Sequence, residues 1–249
     1  MDCEHINPYL DDKRGKTEQV QEMFDNIAPA YDFMNRAMTL GIDRLWRRRA
    51  VRCLPEGADT EILDIATGTG DMALLISRLT GSRHITGIDL SEGMLEVGRR
   101  KVAAASLSDT ITLLQADSLA MPFADDSFDA ITVAYGVRNF ADLEAGYREM
   151  LRVLRPGGKV VVLELSTPTG FITRPLYKLY TSRIIPLAGR LVSHDVRAYS
   201  YLPESIAAVA QADSMTALME RAGFSDCRFD RLTFGACTLY TATKRRKRH

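Results

Sequence analysis

Two glycines and two aspartates surround the end of an apolar segment, where they could hold a cofactor. Gly68 and Gly70 follow the apolar run at 62–65, with Asp64 inside that run and Asp71 directly after Gly70. Glycine allows the backbone to turn tightly and to approach a ligand closely. Because a pyrophosphate would meet two carboxylates here, the charges favour a cationic ligand. S-adenosylmethionine, with its sulfonium and ammonium groups beside adenosine, fits this pattern, although Asp71 could instead be a favourable charge in the first turn of a helix.

The same turn also matches a dinucleotide-binding fingerprint. Residues 68–73 satisfy G-x-G-x-x-G/A, so the glycines alone do not separate NAD from S-adenosylmethionine. Asp89 ends the next apolar segment, at the position where a carboxylate accepts hydrogen bonds from ribose hydroxyls in either cofactor. Its alternative role is to cap the helix predicted to begin near Ser91.

A further carboxylate follows the third apolar segment. Asp117 and Ser118 come directly after residues 111–116, which places them at the same edge of a parallel sheet. Asp117 could accept a hydrogen bond from the adenine amine, with the Ser118 backbone beside it.

The elements that must position these residues alternate along the chain. Strands are predicted at 61–65, 84–89, 111–116, 128–134 and 159–165, and helices at 71–79, 92–105 and 143–154. This alternation indicates a parallel sheet covered by helices on both faces. Two helices precede it, one that Pro29 ends and one at 43–54 with residues 47–49 solvated. A helix at about 214–222 and a hairpin of strands 227–232 and 237–243 close the chain, so the last strand should enter the sheet antiparallel.

We therefore expect one α/β domain over residues 1–249. Its predicted parts are an N-terminal helical cap (17–54), a cofactor-binding core (61–165), a substrate or lid insertion (166–212), a final helix and hairpin (213–243) and a basic tail (244–249).

Composition excludes several classes of function. The formal net charge is +0, so no overall field favours nucleic acid. The four cysteines and four histidines are scattered, which predicts neither a metal site nor a disulfide framework. The N-terminus does not resemble a signal peptide, and no apolar run is long enough to span a bilayer, so we expect a cytoplasmic protein. The basic tail is either solvated or in contact with anionic headgroups.

The ordered set of motifs over 61–165 resembles the class I S-adenosylmethionine-dependent methyltransferases, which implies a Rossmann-like, mostly parallel seven-stranded sheet. The one departure is Ala66, where the family's turn has its first glycine, and we expect Ala66 to keep ordinary dihedral angles. The flanks are similar to the UbiE/MenG quinone C-methyltransferases at residues 30–35, 40–47, 135–140 and 199–206.

This resemblance implies roles for individual residues. It places Thr67, Gly68, Asp89, Asp117 and Ser118 at the cofactor, to which the turn itself adds Asp64 and Gly70, and it places Tyr31, Asp32, Asn35, Arg138 and Asn139 beside the methyl acceptor. Arg138 would hold a developing oxyanion and Asn139 would orient it, while the base is left open between Asp32, Tyr31 and a water. The alternatives are a salt bridge from Arg138 to Asp142 and core packing for Tyr31.

The implied reaction is C-methylation of demethylmenaquinol to menaquinol, the last step of menaquinone biosynthesis. Alternatives are a ubiquinone-pathway benzoquinol or another prenyl lipid as acceptor, an NAD-dependent oxidoreductase, and a non-catalytic subunit that binds S-adenosylmethionine. The polyprenyl tail of the acceptor requires an apolar channel, which the segment 171–193, with its apolar and basic residues, could supply at a membrane surface. That segment could equally be a helical lid or the face of a homodimer.

Overall fold

A computed structural model describes residues 3–9, 12–171, 173–180 and 196–246. The helices are α1 (Lys16–Ile27), α2 (Tyr31–Thr39), α3 (Asp43–Val51), α4 (Asp71–Thr80), α5 (Glu92–Ala104), α6 (Leu143–Val153), α7 (Thr173–Leu179), α8 (Val196–Ala208) and α9 (Asp213–Arg221). The strands are β1 (Glu61–Ile65), β2 (His84–Asp89), β3 (Ile111–Gln115), β4 (Phe128–Ala134), β5 (Leu154–Leu165), β6 (Ser225–Leu232) and β7 (Cys237–Thr243).

The strands form one sheet in the order β3-β2-β1-β4-β5-β7-β6. The first five strands in that order pair in parallel, while β7 runs antiparallel to both β5 and β6. The predicted fold, with its antiparallel terminal hairpin, is therefore confirmed. Because the chain moves outward from β1 to β3 and then returns to the other side of β1 with β4, the strand order reverses between β1 and β4. Ligands of open α/β sheets bind at the carboxyl ends of the strands at such a point.

The core has two layers because successive strand residues face opposite sides of the sheet. Leu63 and Ile131 face the side covered by α6 and α9, whereas Ile62 and Ala130 face the side covered by α3, α4 and α5. All four side chains are fully buried. The sheet is thus packed on both faces, and its carboxyl edge positions the residues that follow each strand.

The N-terminal helices differ from the expectation in two respects. Helix α1 ends at Ile27, before Pro29, as predicted, but α2 was not expected and begins directly after Ala30. Arg47 was expected to be solvated, yet its side chain is only 11% exposed. Its guanidinium lies over the ring of Tyr135, 5.0 Å from the ring centroid, because α3 packs against the carboxyl edge of the sheet and carries Arg47 inward.

Two other segments also bear on the predictions. Strand β5 begins at Leu154, earlier than predicted, because Leu154 pairs with Phe128 of β4. After a register irregularity, the pairing resumes at Lys159, beside Ala130. Most of the predicted insertion at 171–193 lies outside the described residues, as do residues 247–249 of the basic tail. No helix in the described ranges is long and apolar enough to cross a membrane.

Candidate active site

A buried carboxylate, that of Asp64, stabilises the turn after β1 through hydrogen bonds. Asp64 accepts hydrogen bonds from Thr67 Oγ1 and Thr132 Oγ1, both at 2.6 Å. Burial raises the pKa of Asp64 to about 6, against the lowering effect of these hydroxyls. Asp64 and Thr67 line neither of the two cavities described below, so the geometry makes them supports of the turn.

The turn itself uses left-handed backbone at three positions. Gly68 and Gly70 have φ of 56° and 76°, a region that glycine enters without steric cost. Ala66 has φ of 52°, so the expectation of ordinary dihedral angles at Ala66 was wrong. The reason is that the chain turns sharply at Ala66, directly after β1. This turn brings Thr67 N to 3.0 Å from Ile88 O, to which it donates a hydrogen bond.

Asp89 is fixed at the end of β2 by backbone donors. Its carboxylate accepts from Gly68 N at 2.8 Å and from Ser91 N at 3.0 Å. Ser91, which accepts from Met94 N, is the N-cap of α5, so Asp89 does not have that role. Burial raises the pKa of Asp89 to about 6, although the backbone donors lower it. One carboxylate thus bridges the glycine turn and α5.

These strand ends open into a cavity of about 720 Å³, which we call the cofactor cavity. Gly68, Asp89, Asp117 and Ser118 line its floor, and residues of α1 and Tyr31 of α2 line its cover. Carboxylates at the ends of β2 and β3 suit the hydroxyl and amino groups of a nucleoside, so the residues present fit adenosine.

Asp71 and Asp32 lie outside this cavity and share a cation. Lys101 Nζ pairs with Asp71 and, at 2.9 Å, with Asp32, and Thr69 Oγ1 donates to Asp32 at 2.6 Å. Although burial acts to raise the pKa of Asp71, the Lys101 ammonium lowers it overall. The sequence argument that Asp71 offers a free negative charge to the ligand therefore loses its basis, because Lys101 and Arg36, the latter 3.7 Å from its carboxylate, both pair with it. Asp32 instead ties α2 to the glycine turn.

A second, larger cavity of about 1040 Å³ adjoins the first, and we call it the acceptor cavity. Its lining is mainly apolar and includes Met38, Leu40, Ile42, Trp46, Leu165, Leu202 and Ile206. Two residues, Tyr31 and Tyr135, line both cavities, and Asn35 and Arg138 line the acceptor cavity. A polar pocket and an apolar pocket thus share a wall at the carboxyl edge of the sheet.

Arg138 reaches the acceptor cavity from a short 3-10 helix, Val137–Asn139. Its Nη1 donates to Glu164 Oε1 at 2.7 Å and to Tyr135 O, and both ionic side chains are nearly inaccessible, at 6% and 2% exposed. Burial lowers the pKa of Arg138, but Glu164 outweighs it and keeps the group charged. Arg138 Nε is buried without a hydrogen-bond partner among the described residues. Asp142, the partner considered from sequence, instead caps α6 by accepting from Ala145 N.

Asn139 faces the other cavity. It lines the cofactor cavity, and its Oδ1 accepts from Tyr201 Oη at 3.1 Å. The 3-10 turn therefore sends consecutive side chains to different cavities: Arg138 towards the acceptor cavity and Asn139 towards the cofactor.

Comparison with known proteins supplies the family. The model of the ubiE/COQ5 methyltransferase family matches residues 12–244, nearly the whole chain. The chain belongs to this family. It is therefore a methyltransferase of the class I, S-adenosylmethionine-dependent type, in agreement with the fold and with the fit of the cofactor cavity to adenosine.

Relatives of the methyltransferase match over nearly full length. A demethylmenaquinone methyltransferase from Bacteroides fragilis is 50% identical over 97% of this chain and 98% of its own. A protein from Geotalea daltonii named ubiquinone/menaquinone biosynthesis C-methyltransferase UbiE is 48% identical, over 92% of this chain and 97% of its own. Among solved structures, an S-adenosylmethionine-dependent methyltransferase from Thermotoga maritima gives a TM-score of 0.62 at 20% identity, covering 90% of this chain and 99% of its own.

Sequence reasoning missed two functional features of this methyltransferase. Glu164 gave one usable signal, a lone carboxylate at the end of the apolar run at 160–163 in β5. No signal in the sequence marks Arg47, because a run of three arginines in α3 is typical of a solvent-exposed helix face. Only the packing of α3 buries Arg47 while its neighbours Arg48 and Arg49 stay exposed.

Proposed function

We propose that this enzyme transfers a methyl group from S-adenosylmethionine to a ring carbon of demethylmenaquinol, giving menaquinol. The observation that carries the proposal is the acceptor cavity, which is apolar, has a buried arginine in its wall and shares Tyr31 and Tyr135 with the cofactor cavity. An apolar lining suits a ring with a polyprenyl tail, and the guanidinium suits the oxygen of a quinol. Relatives named demethylmenaquinone methyltransferase at 44–50% identity support the same acceptor.

When bound, S-adenosylmethionine supplies an electrophilic methyl group, so the protein has to make the ring carbon electron-rich. Loss of a hydroxyl proton from the quinol pushes electron density into the ring carbon. Once that carbon has gained the methyl group, its own proton leaves and the aromatic quinol is restored. Arg138, kept charged by Glu164, stabilises the negative charge that develops on the oxygen. The apolar walls exclude water, which strengthens this electrostatic effect.

The contacts reduce the number of candidates for the base that takes the hydroxyl proton. Asp32 lines neither cavity and already accepts hydrogen bonds from Thr69 and Lys101. Tyr31 lines both cavities, so we assign the base to Tyr31 or to a water beside it. Asn139, Asp89, Asp117 and Ser118 hold the cofactor in this scheme, with Asp64, Thr67 and Gly70 shaping the turn.

Two measurements test the proposal. In cells that lack this protein, mass spectrometry of extracted quinones should show a demethylmenaquinone in place of menaquinone. In vitro, a demethylmenaquinone should quench the fluorescence of Trp46, the one tryptophan in the chain, which lines the acceptor cavity. Accumulation of a benzoquinol instead would assign the ubiquinone pathway, and unchanged quinones with intact S-adenosylhomocysteine binding would favour a non-catalytic subunit.

We further propose that the mouth of the acceptor cavity contacts the membrane that holds its substrate. Phe33 on α2 and Leu45 on α3 are 62% and 64% exposed. Leu40, directly after α2, is 81% exposed and lines the cavity. Arg44 and Arg48 are exposed on the same helix as Leu45, and cationic residues beside apolar ones suit an anionic lipid surface.

Co-sedimentation with anionic lipid vesicles tests this contact. The double variant Phe33→Ser/Leu45→Ser should pellet less than the wild type, because exposed apolar area is lost. Leu79→Ser is the matched control, since Leu79 is 45% exposed and lies at the carboxyl end of α4, away from the cavity mouth. Equal pelleting of all three proteins would contradict the proposal.

A further inference from the structure

Tyr135 occupies the border between the two cavities. Together with Tyr31 it lines both of them, and its side chain is 8% exposed. A methyl group that passes from a donor in one cavity to a ring in the other crosses this border. The position of the Tyr135 ring therefore decides how the two ligands face each other.

The backbone of Tyr135 is held in a conformation that aims the ring at this border. Its φ is 61°, in the left-handed region that bulky residues rarely adopt and that occurs at functional sites. Tyr135 N donates to Leu163 O at 2.7 Å, and Tyr135 O accepts from Arg138 Nη1. The strained residue is thus fixed to β5 on one side and to the Arg138–Glu164 pair on the other.

Arg47 holds the ring itself. Its guanidinium carbon lies 5.0 Å from the ring centroid, and its ion pair with Asp43 is long, at 3.8 Å. Arg47 Nε is buried without a hydrogen-bond partner among the described residues. Because a buried cation with few partners is costly, the stack on Tyr135 is a favourable contact for this group beside the long pair with Asp43, and it packs against the ring from the side of α3.

We propose that Tyr135, backed by Arg47, is a positioning residue whose ring holds the acceptor facing the methyl donor. This inference rests on the proposed function. The ring carries the role and not the hydroxyl, because Tyr135 Oη is buried, with no hydrogen-bond partner among the described residues, and its burial leaves it no surface facing either cavity. Orientation of this kind is worth large rate factors, since small misplacements of reacting groups slow a reaction strongly.

Two substitutions of Tyr135 distinguish the contribution of its ring from those of its hydroxyl group and its left-handed backbone. Tyr135→Phe keeps the ring and removes the hydroxyl. Tyr135→Asn removes the ring, while asparagine tolerates the left-handed backbone. Arg47→Met removes the stacked cation, and Arg49→Met, two residues further along α3 and exposed, is its control.

Each variant is measured in three ways: the affinity for S-adenosylhomocysteine by calorimetry, the affinity for demethylmenaquinone by Trp46 quenching, and the single-turnover rate with a short-tailed demethylmenaquinol. Tyr135→Asn should slow the single turnover about 100-fold, as expected for a misplaced reacting group, and weaken quinone affinity more than S-adenosylhomocysteine affinity. Arg47→Met should be slowed about tenfold by the same loss of orientation. Tyr135→Phe and Arg49→Met should match the wild type in all three.

Three results would overturn the inference. They are a normal single-turnover rate in Tyr135→Asn, a loss in Tyr135→Phe as large as in Tyr135→Asn, and, if Tyr135→Asn does not fold, a normal rate in Arg47→Met. Failure of the proposed function looks different, because the wild type itself would then bind S-adenosylhomocysteine without methylating the quinol.

Discussion

The floor of the cofactor cavity comes from the glycine turn after β1 and from carboxylates at the ends of β2 and β3. The acceptor cavity is enclosed mainly by α2, α3, α7, α8 and the residues after β4. In the cofactor half, Asp89 is positioned by backbone donors within a few residues of strand ends. In the acceptor half, Arg138 depends on Glu164, 26 residues further along the chain. Part of the cofactor site can therefore be recognised from short sequence motifs. The acceptor site depends on contacts between segments that only folding brings together.

The two halves also differ in how their polar atoms are satisfied. Both carboxylate oxygens of Asp89 accept hydrogen bonds in the structure. Among the described residues, the buried side-chain atoms without partners are Arg47 Nε, Tyr135 Oη and Arg138 Nε, all in or behind the wall of the acceptor cavity. The carboxylate of the cofactor half thus has its hydrogen bonds made, whereas the acceptor half holds buried polar atoms without partners among the described residues. Substitutions in the two halves should therefore have different effects on stability, cofactor affinity and methyl transfer.

The largest effect is expected for Arg138→Ala, which breaks the buried pair. It leaves Glu164 buried and unpaired, which should cost about 3–5 kcal/mol of unfolding free energy. Methyl transfer should fall at least about 100-fold, because the charge on the quinol oxygen loses its stabilisation. Urea unfolding and single-turnover kinetics measure the two effects.

The double variant Arg138→Met/Glu164→Gln separates stability from chemistry. Without a buried charge, it should recover most of the stability but stay slow in methyl transfer. Wild-type turnover in this double variant would show that Arg138 has only a structural role.

Asp89→Asn should weaken the cofactor half alone. Loss of a charged acceptor costs about 1.5–3 kcal/mol, so S-adenosylhomocysteine affinity measured by calorimetry should fall about 10–100-fold. Asp142→Asn, which keeps an acceptor at the cap of α6, is the control and should bind normally. Undiminished affinity in Asp89→Asn would remove Asp89 from the cofactor site.

The pH dependence should have opposite signs for stability and for cofactor binding. The folded-state pKa of Asp89 and Asp64 rises from 3.8 to about 6, so between these values the folded protein binds more protons than the unfolded chain. Stability should therefore fall as pH rises from 4 to 6, by up to about 1.4 kcal/mol per unit for each group.

Cofactor affinity should instead rise through pH 6, because an ionised Asp89 is the better acceptor for hydroxyl groups. Asp64→Asn should reduce the pH dependence of unfolding and leave that of S-adenosylhomocysteine binding unchanged. If Asp64→Asn altered the binding profile as well, Asp64 would contact the cofactor directly.

Asp32→Asn should have the smallest effect. Its pair with Lys101 is partly exposed, and such pairs contribute about 0–1 kcal/mol, so S-adenosylhomocysteine affinity and single-turnover rate should each change less than about fivefold. A much larger loss of rate, with intact S-adenosylhomocysteine binding, would return Asp32 to the role of base.

Sequence patterns predicted the sheet and much of the cofactor half because both depend on local order. The alternation of strands and helices, the turn at Gly68 and the carboxylate at Asp89 are read from neighbouring residues. Helix α2 was missed because Pro29 suggests a break and only Met34 of that helix is buried, so no apolar stripe marks it. The neutralisation of Asp71 was missed because Lys101 lies 30 residues away, and only the packing of α5 brings it near.

The left-handed Ala66, in the turn after β1, constrains the order in which substitutions at positions 66 and 136 can occur. A Cβ built on Gly136 would lie 2.5 Å from Ala66 Cβ, so position 136 accepts no side chain while Ala66 is present. Ala66→Gly would remove that methyl group and relieve the backbone, and Val133 Cγ1, 3.1 Å from the same built Cβ, would then need only a small shift. The two positions are therefore epistatic: Gly136→Ala is tolerated only after Ala66→Gly, and a mutational scan of single substitutions would misread Gly136 as invariant for reasons of catalysis.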